Sequence, residues 1–182
     1  MNPSLALTVW TIGHSNKSFD SFLALLEQHD IAVIADVRSA PYSRYALHFN
    51  APLLKPALEA QGVQYVYLGK QIGGMPKDES LYDDDGHVRY DLIAESESFK
   101  SGIERLLAGI EKYRVAIMCG EENPSGCHRR NLIGPVLNAH GIDVWHIRGT
   151  GELQSEEDLK LLNGEIEVPP DVVQLSLFQQ LP

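Results

Sequence analysis

The stretch CGEENPSGCHRRN, residues 119–131, sets two thiols, an imidazole, two guanidinium groups and two carboxylates within one short segment. It reads as a loop running into a helix. Backbone N–H groups and the dipole at a helix start favour an anion. Arg129 or Arg130 can hold a phosphate through two parallel hydrogen bonds; the alternative is a capped loop with solvated arginines. Cys127 stands at the helix start beside His128, where a thiol becomes more acidic and can serve as a nucleophile. The alternative is a small buried residue, which is how a free cysteine usually behaves. Cys119, Cys127, His128 and His14 could share a metal, but the spacing of the two cysteines matches no compact zinc pattern. No metal and no cofactor are expected.

Two carboxylates stand out as catalytic candidates, Asp36 first and Glu121 second. Asp36 ends a near-continuous apolar run, and Arg38 lies two residues on, on the same side of an extended chain. This pair is either structural or a carboxylate that positions water or stabilises a developing cation. His14 is a candidate donor or acid, or a loop histidine satisfied by backbone. RSAPYSRYALHF, residues 38–49, interleaves Arg38 and Arg44 with Tyr42, Tyr45 and Phe49. Aromatic faces can stack bases while arginine contacts phosphate. Ser43, Arg44, Cys127 and His128 join Arg38 and Arg129 as candidate phosphate or nucleic-acid contacts.

The elements that would gather these groups follow from periodicity. β-branched, apolar runs at 5–12, 31–37, 63–68, 114–119 and 142–147 predict five strands. Ser18 caps a helix with Phe19, Phe22, Leu23 and Leu26 on one face. Further helices are expected around 52–61, stopped by Gly62, and over 98–113, where Phe99, Ile103, Leu106, Leu107, Ile110 and Tyr113 recur at helical spacing. Another runs from near Cys127 to about His140, with Pro135 kinking or dividing it. Residues 69–94 are rich in Gly and Asp and read as irregular. Strands alternating with helices imply an α/β fold: a mostly parallel five-stranded sheet with helices on both faces. Sites in such sheets lie beyond the carboxyl ends of the strands. His14, Asp36, Arg38, Ser43, Arg44, the 119–131 segment, His146 and Arg148 all fall there.

The chain has 182 residues, 43% of them hydrophobic, and a formal net charge of −10. That size suits one α/β catalytic domain, residues 1–150. The acidic remainder, 151–182, reads as a solvated extension. The charge argues against tight, sequence-blind nucleic-acid binding over the whole surface but leaves room for a local basic site. No run is long and apolar enough to span a bilayer, and the start lacks a signal-peptide pattern. Two cysteines make no disulfide framework, so a reduced, cytoplasmic setting is expected.

TIGHSN, DVRSAPYSR, the glycines of LGKQIGG, and CGEENPSGCHR followed by VWHI together resemble the family known as domain of unknown function 488, over roughly residues 9–148. The resemblance implies an α/β domain with these motifs around one cleft. It places His14, Asp36, Arg38, Ser43, Cys119, Glu121, Cys127, His128 and Arg129 at the matching positions.

QLSLF, residues 174–178, resembles the peptide by which bacterial replication and repair proteins dock on the DNA sliding clamp. Gln174 matches the polar anchor, and Leu175, Leu177 and Phe178 match the apolar plugs. EVPPD before it reads as an extended spacer. A clamp on DNA would raise the local concentration of an acidic enzyme that binds DNA weakly. The sequence therefore points to a DNA-processing enzyme of replication-linked repair, a base-lesion N-glycosylase without cofactor. One rival is a thiol-dependent transferase or hydrolase using Cys127 or Cys119 on a phosphorylated small molecule or nucleotide. The other is a non-catalytic clamp-associated adaptor.

Overall fold

The computed structural model describes residues 7–166. Six strands form one sheet: β1 (Thr8–Gly13), β2 (Val33–Asp36), β3 (Gln64–Tyr67), β4 (Val115–Cys119), β5 (Asp143–Ile147) and β6 (Leu153–Ser155). Their order is β3-β2-β4-β1-β5-β6, with every pair parallel except β5–β6. The five expected strands are present within a few residues of their expected bounds. The sixth is a correction. After β5 the chain turns through Gly151, whose φ of 89° suits a residue without Cβ, and three residues pair back on β5.

Helices cover both faces. α1 (Phe19–Gln28) and α2 (Ala51–Ala60) lie on one side, burying Phe22, Leu25, Leu26, Leu54 and Leu58 against Trp10, Ile12, Ile34, Ala116 and Met118. The Ser18 hydroxyl accepts the N–H of Ser21 and starts α1 as expected. The opposite face carries α4 (Tyr90–Glu95), α5 (Glu97–Ile110) and α6 (Gly134–Ala139), which pack on Val9, Val33, Ala35, Val115 and Ile117. The Ser96 hydroxyl accepts the N–H of Phe99 and starts α5, whose inward stripe is Phe99, Ile103, Leu106 and Ile110. α3 (Gly69–Ile72) and α4 lie within the segment read as irregular. Each is so short that one apolar contact fixes it, Ile72 in α3 and Ile93 in α4, which leaves no helical period to detect.

Pro135 divides the expected 127–140 helix. Residues Arg129–Ile133 form a π-helical turn, closed by the Gly134 N–H to the Arg129 carbonyl, and α6 follows. Proline has no N–H to give to the turn before it, and the wider turn takes up the misfit.

Residues 151–166, expected as part of a solvated extension, lie on the domain. Ser155 and Asp158 form a reciprocal capping box at the start of α7 (Glu156–Leu162), and Glu156, Glu157 and Asp158 fill its first turn, where the helix dipole favours acid. The density of carboxylates that suggested a solvated tail is in part this helix start. Leu159 is buried, and Arg130 reaches across to Glu156 and Glu165.

Leu159→Ala is expected to cost about 2–4 kcal/mol in unfolding free energy, as for other buried leucines. Denaturant titration measures it. A cost below about 0.5 kcal/mol would mean that α7 does not share the domain's core.

Candidate active site

β4 is the middle of the functional edge. The connections from its two neighbours, β1 and β2, lead to α1 and α2 on one face, whereas its own leads to α6 on the other. Loops that part in this way open a crevice at the strand ends. Cys119 ends β4, Gly13 and His14 end β1, and Asp36 ends β2. β1 and the loop after β4 run almost in contact: the N–H groups of His14 and Ser15 donate to the carbonyls of Cys119 and Gly120 at 3.0 and 2.9 Å. A Cβ at Gly13 would sit 1.8 Å from the Glu121 carbonyl oxygen, so only glycine fits there.

One polar chain runs from Asp36. Its carboxylate, 0% exposed, takes the Arg38 backbone N–H at 3.1 Å, Nε at 2.9 Å, Nη2 at 2.6 Å and the Tyr65 hydroxyl at 2.6 Å. Arg38 Nη2 also donates to the Phe49 carbonyl at 2.8 Å, and Nη1 donates to His14 Nε2 at 3.0 Å. His14 Nδ1 faces the Ser15 carbonyl at 2.7 Å. A carbonyl only accepts, so Nδ1 carries the proton and Nε2 takes the Arg38 bond: His14 is neutral with both nitrogens in use. Burial lowers its pKa to about 4, and nearby Arg38 adds to this against the Ser15 hydrogen bond and the Asp36 charge. The Tyr65 phenol is pushed up by burial and by its bond to Asp36. Of the two readings the sequence leaves open for Asp36 and Arg38, this geometry matches the structural one, an internal ion pair that fixes His14. The carboxylate has no lone pair left for water or sugar.

A second cluster lies across β4. His128 Nε2 is 3.0 Å from the Val37 carbonyl, so it carries a proton and leaves the Nδ1 lone pair directed elsewhere. That lone pair faces Cys119 Sγ at 3.7 Å and Cys127 Sγ at 3.8 Å. Cys119 is held below the usual thiol range by the hydrogen bond from Cys127, against burial and with help from His128. Cys127 is pushed up by that same bond and by burial. Gly74 closes over the imidazole, since a Cβ there would meet His128 Cγ at 2.4 Å.

Arg129 is 1% exposed. It donates to the Glu121 carbonyl, to the Glu122 carbonyl at 2.6 Å and to Thr11 Oγ1 at 3.2 Å, and its Nη1 lies 3.6 Å from Cys127 Sγ. Among the described residues no carboxylate pairs with it. Thr11 passes the chain to His146 Nδ1 at 2.7 Å, and the other nitrogen of His146 faces Glu156 at 3.5 Å. Burial first, then the Arg129 charge, lowers the His146 pKa to about 4. Arg129 and Arg130, expected at a phosphate, are corrected to scaffold: the first holds the 121–122 backbone and the second pairs with α7. Ser43 also serves the backbone, its hydroxyl accepting the Tyr45 and Ala46 N–H groups.

Two expected residues do face solvent. Glu121 is exposed, and its carboxylate takes no hydrogen bond or ion pair from the described residues. Arg44 is exposed in a loop that also presents Tyr42 and, 90% exposed, Tyr45. Leu47 and Met75 extend this surface, the Met75 N–H being tied to Ser39 Oγ at 2.8 Å. A cavity of about 730 Å³ lies apart from both clusters, beside Glu122, Arg148, Gly149 and Gln154. Tyr65 and Thr11 escaped sequence reading, because only the strand order shows that they stand next to Asp36 and Arg129. Gln174, Leu175, Leu177 and Phe178 lie outside the described residues.

A family model described as domain of unknown function DUF488 matches residues 18–134. No curated protein and no solved structure matches the chain. No helix among the described residues is long and apolar enough to cross a membrane.

His14 and His146 set an acid limit. Their folded pKa values, about 4, lie below the unfolded 6.5, so between those values the unfolded chain binds more protons. The stabilisation is complete above about pH 6.5 and is lost as pH falls toward about 4, on the order of 3 kcal/mol for each histidine. Denaturant unfolding at about pH 7.5 and about pH 4.5 measures the loss. His14→Gln should flatten the slope, and an unchanged slope would show that His14 is not held neutral.

Proposed function

The chain belongs to the DUF488 family, and we propose that it is a DNA-processing enzyme that takes an unstacked base at the carboxyl edge of its sheet. The carrying observation is the 39–48 loop, which holds Tyr42, Arg44 and Tyr45 out into solvent beside the strand ends. Tyr42, Tyr45 and Leu47 are exposed together on this one loop, and grouped apolar exposure is what marks interaction sites. Next to a free arginine they suit bases that stack while the cation meets phosphate. The reaction is base-lesion removal by N-glycosidic hydrolysis. With Asp36 enclosed, Glu121 is the carboxylate left to activate water or to stabilise the sugar cation. The sequence QLSLF supports recruitment by a sliding clamp and a cytoplasmic setting.

A second reading, a thiol-dependent transferase or hydrolase, draws on one observation. Cys119, the more acidic thiol, stands within 3.7 Å of an imidazole whose other nitrogen is anchored on a carbonyl. That is the arrangement of a nucleophile, its base and an orienting group. The non-catalytic adaptor requires only the tail.

Tyr45→Ala and Arg44→Ala should each weaken binding of a fluorescent single-stranded oligonucleotide by roughly tenfold, given about 1–3 kcal/mol for each stacked base. Unfolding free energy should stay within about 0.5 kcal/mol of the parent. Unchanged affinity in both variants removes the loop from nucleic-acid binding.

Duplexes carrying single modified bases test the chemistry. Base release should fall about a hundredfold in Glu121→Gln and survive in Cys119→Ser. The reverse pattern would select the thiol enzyme, and release unaffected by either would leave both roles unsupported.

Replacing Leu177 and Phe178 together by alanine should abolish binding to purified clamp and leave turnover on a short oligonucleotide intact. Undiminished clamp binding by the folded variant refutes the docking reading.

A further inference from the structure

Three lone pairs converge beneath Gly74. Cys119 Sγ, Cys127 Sγ and His128 Nδ1 all lie within 4.8 Å of one another, and all three residues are buried. Their surroundings treat His128 Nδ1 and Cys127 Sγ as acceptors. The Val37 carbonyl takes the Nε2 proton of His128 and so leaves Nδ1 unprotonated in the neutral ring. Arg129 Nη1 is directed at Cys127, and Cys119 Sγ faces the Nδ1 lone pair at 3.7 Å. Donors outside and acceptors inside favour a positive species at that centre. A thiol proton supplies it for one pair at a time; a metal ion supplies it for all three.

The dimensions agree. A tetrahedral ion with metal–sulfur bonds of ~2.3 Å and metal–nitrogen bonds of ~2.0–2.1 Å spaces sulfur from nitrogen by about 3.6 Å. The two distances here are 3.7 and 3.8 Å. An imidazole whose far nitrogen is fixed on a carbonyl is also the usual support of a metal-bound histidine. Arg129 gives independent support. Its guanidinium is buried with no carboxylate partner among the described residues, and the nearest group able to carry negative charge is Cys127, at 3.6 Å. A thiolate, which metal binding creates, compensates that charge better than a neutral thiol.

We propose that Cys119, Cys127 and His128 form a binding site for a thiophilic divalent cation of the zinc class, with a fourth position left for a further ligand. On binding, each thiol loses its proton to solvent, both sulfurs and Nδ1 donate electron pairs to the ion, and no oxidation state changes. The site rests on neither functional reading. An ion there would hold Cys119 as a bound thiolate, so Cys119 would not be the free thiol of the second reading.

The test uses the full chain, stripped with a chelator and titrated with cobalt(II) chloride and then zinc chloride. Cobalt should bind at one equivalent with intense sulfur-to-metal absorption in the near ultraviolet and visible bands of tetrahedral geometry, and zinc should bleach both. Cys127→Ser should weaken zinc by at least about 100-fold. Because that variant also replaces a buried core sulfur, alkylation of the parent is followed as well. Zinc should protect both cysteines from a maleimide under conditions in which the stripped folded chain reacts. Absence of the sulfur–cobalt absorption at micromolar metal overturns the proposal, and so does equal alkylation with and without zinc. Retention of metal affinity by Cys127→Ser overturns the ligand set. DNA binding by the 39–48 loop is measured separately and does not depend on these outcomes.

Discussion

The arrangement turns on one buried cation. Arg129 gives its guanidinium N–H groups to the carbonyls of Glu121 and Glu122 and to the Thr11 hydroxyl. Burial of a guanidinium costs several kcal/mol unless its donors are met, so the loop after β4 is held where its carbonyls can meet them. That position brings Cys127 back over Cys119, sets His128 against Val37 and leaves Gly13 in near contact with Glu121. The other strand ends are arranged around a loop whose course Arg129 has fixed.

Across β4 a buried ion pair acts in the same sense. Asp36 and Arg38 use nearly all their hydrogen-bonding capacity on each other, Tyr65, Phe49 and His14. Such a network is rigid because each member's partners are already chosen. The two groups that look most reactive in sequence are thus the least available. Outside that network stand Glu121 on the loop held by Arg129, the buried sulfur pair beneath Gly74, and the exposed Tyr42–Tyr45 loop beyond Arg38.

Much of this was legible in sequence. Apolar runs and caps located five strands and three of the longer helices, because a fully buried strand and an amphipathic helix leave strong periodic signals. The rule that sites lie at strand ends gathered His14, Asp36, Cys119 and Glu121 correctly. What escaped depends on neighbours rather than on local pattern. β6 is three residues long and is fixed by its pairing with β5. α3 and α4 are too short for a period. The roles of Asp36 and Arg129 could not be read because burial is decided by strand order: β2 lies between β3 and β4, which encloses the carboxylate and adds Tyr65 to the Arg38 already beside it in sequence. Nor could the spacing of Cys119 and Cys127 show that the loop between them doubles back.

The π-helical turn at Arg129–Ile133 separates two surfaces that a regular helix would lock in phase. In an α-helix each residue advances the direction of its side chain by about 100°, so the extra residue in a widened turn lets the segment before it rotate by that amount relative to the segment after. Cys127 to Arg130 are thereby aimed along the sheet edge while Leu132, Ile133 and Leu137 still face the core. Shortening this stretch by a single residue would yield a more regular helix and preserve every functional side chain in the sequence, yet turn the cysteine, the imidazole and the guanidinium away from their partners. At this junction the quantity that matters is the count of residues rather than their identity.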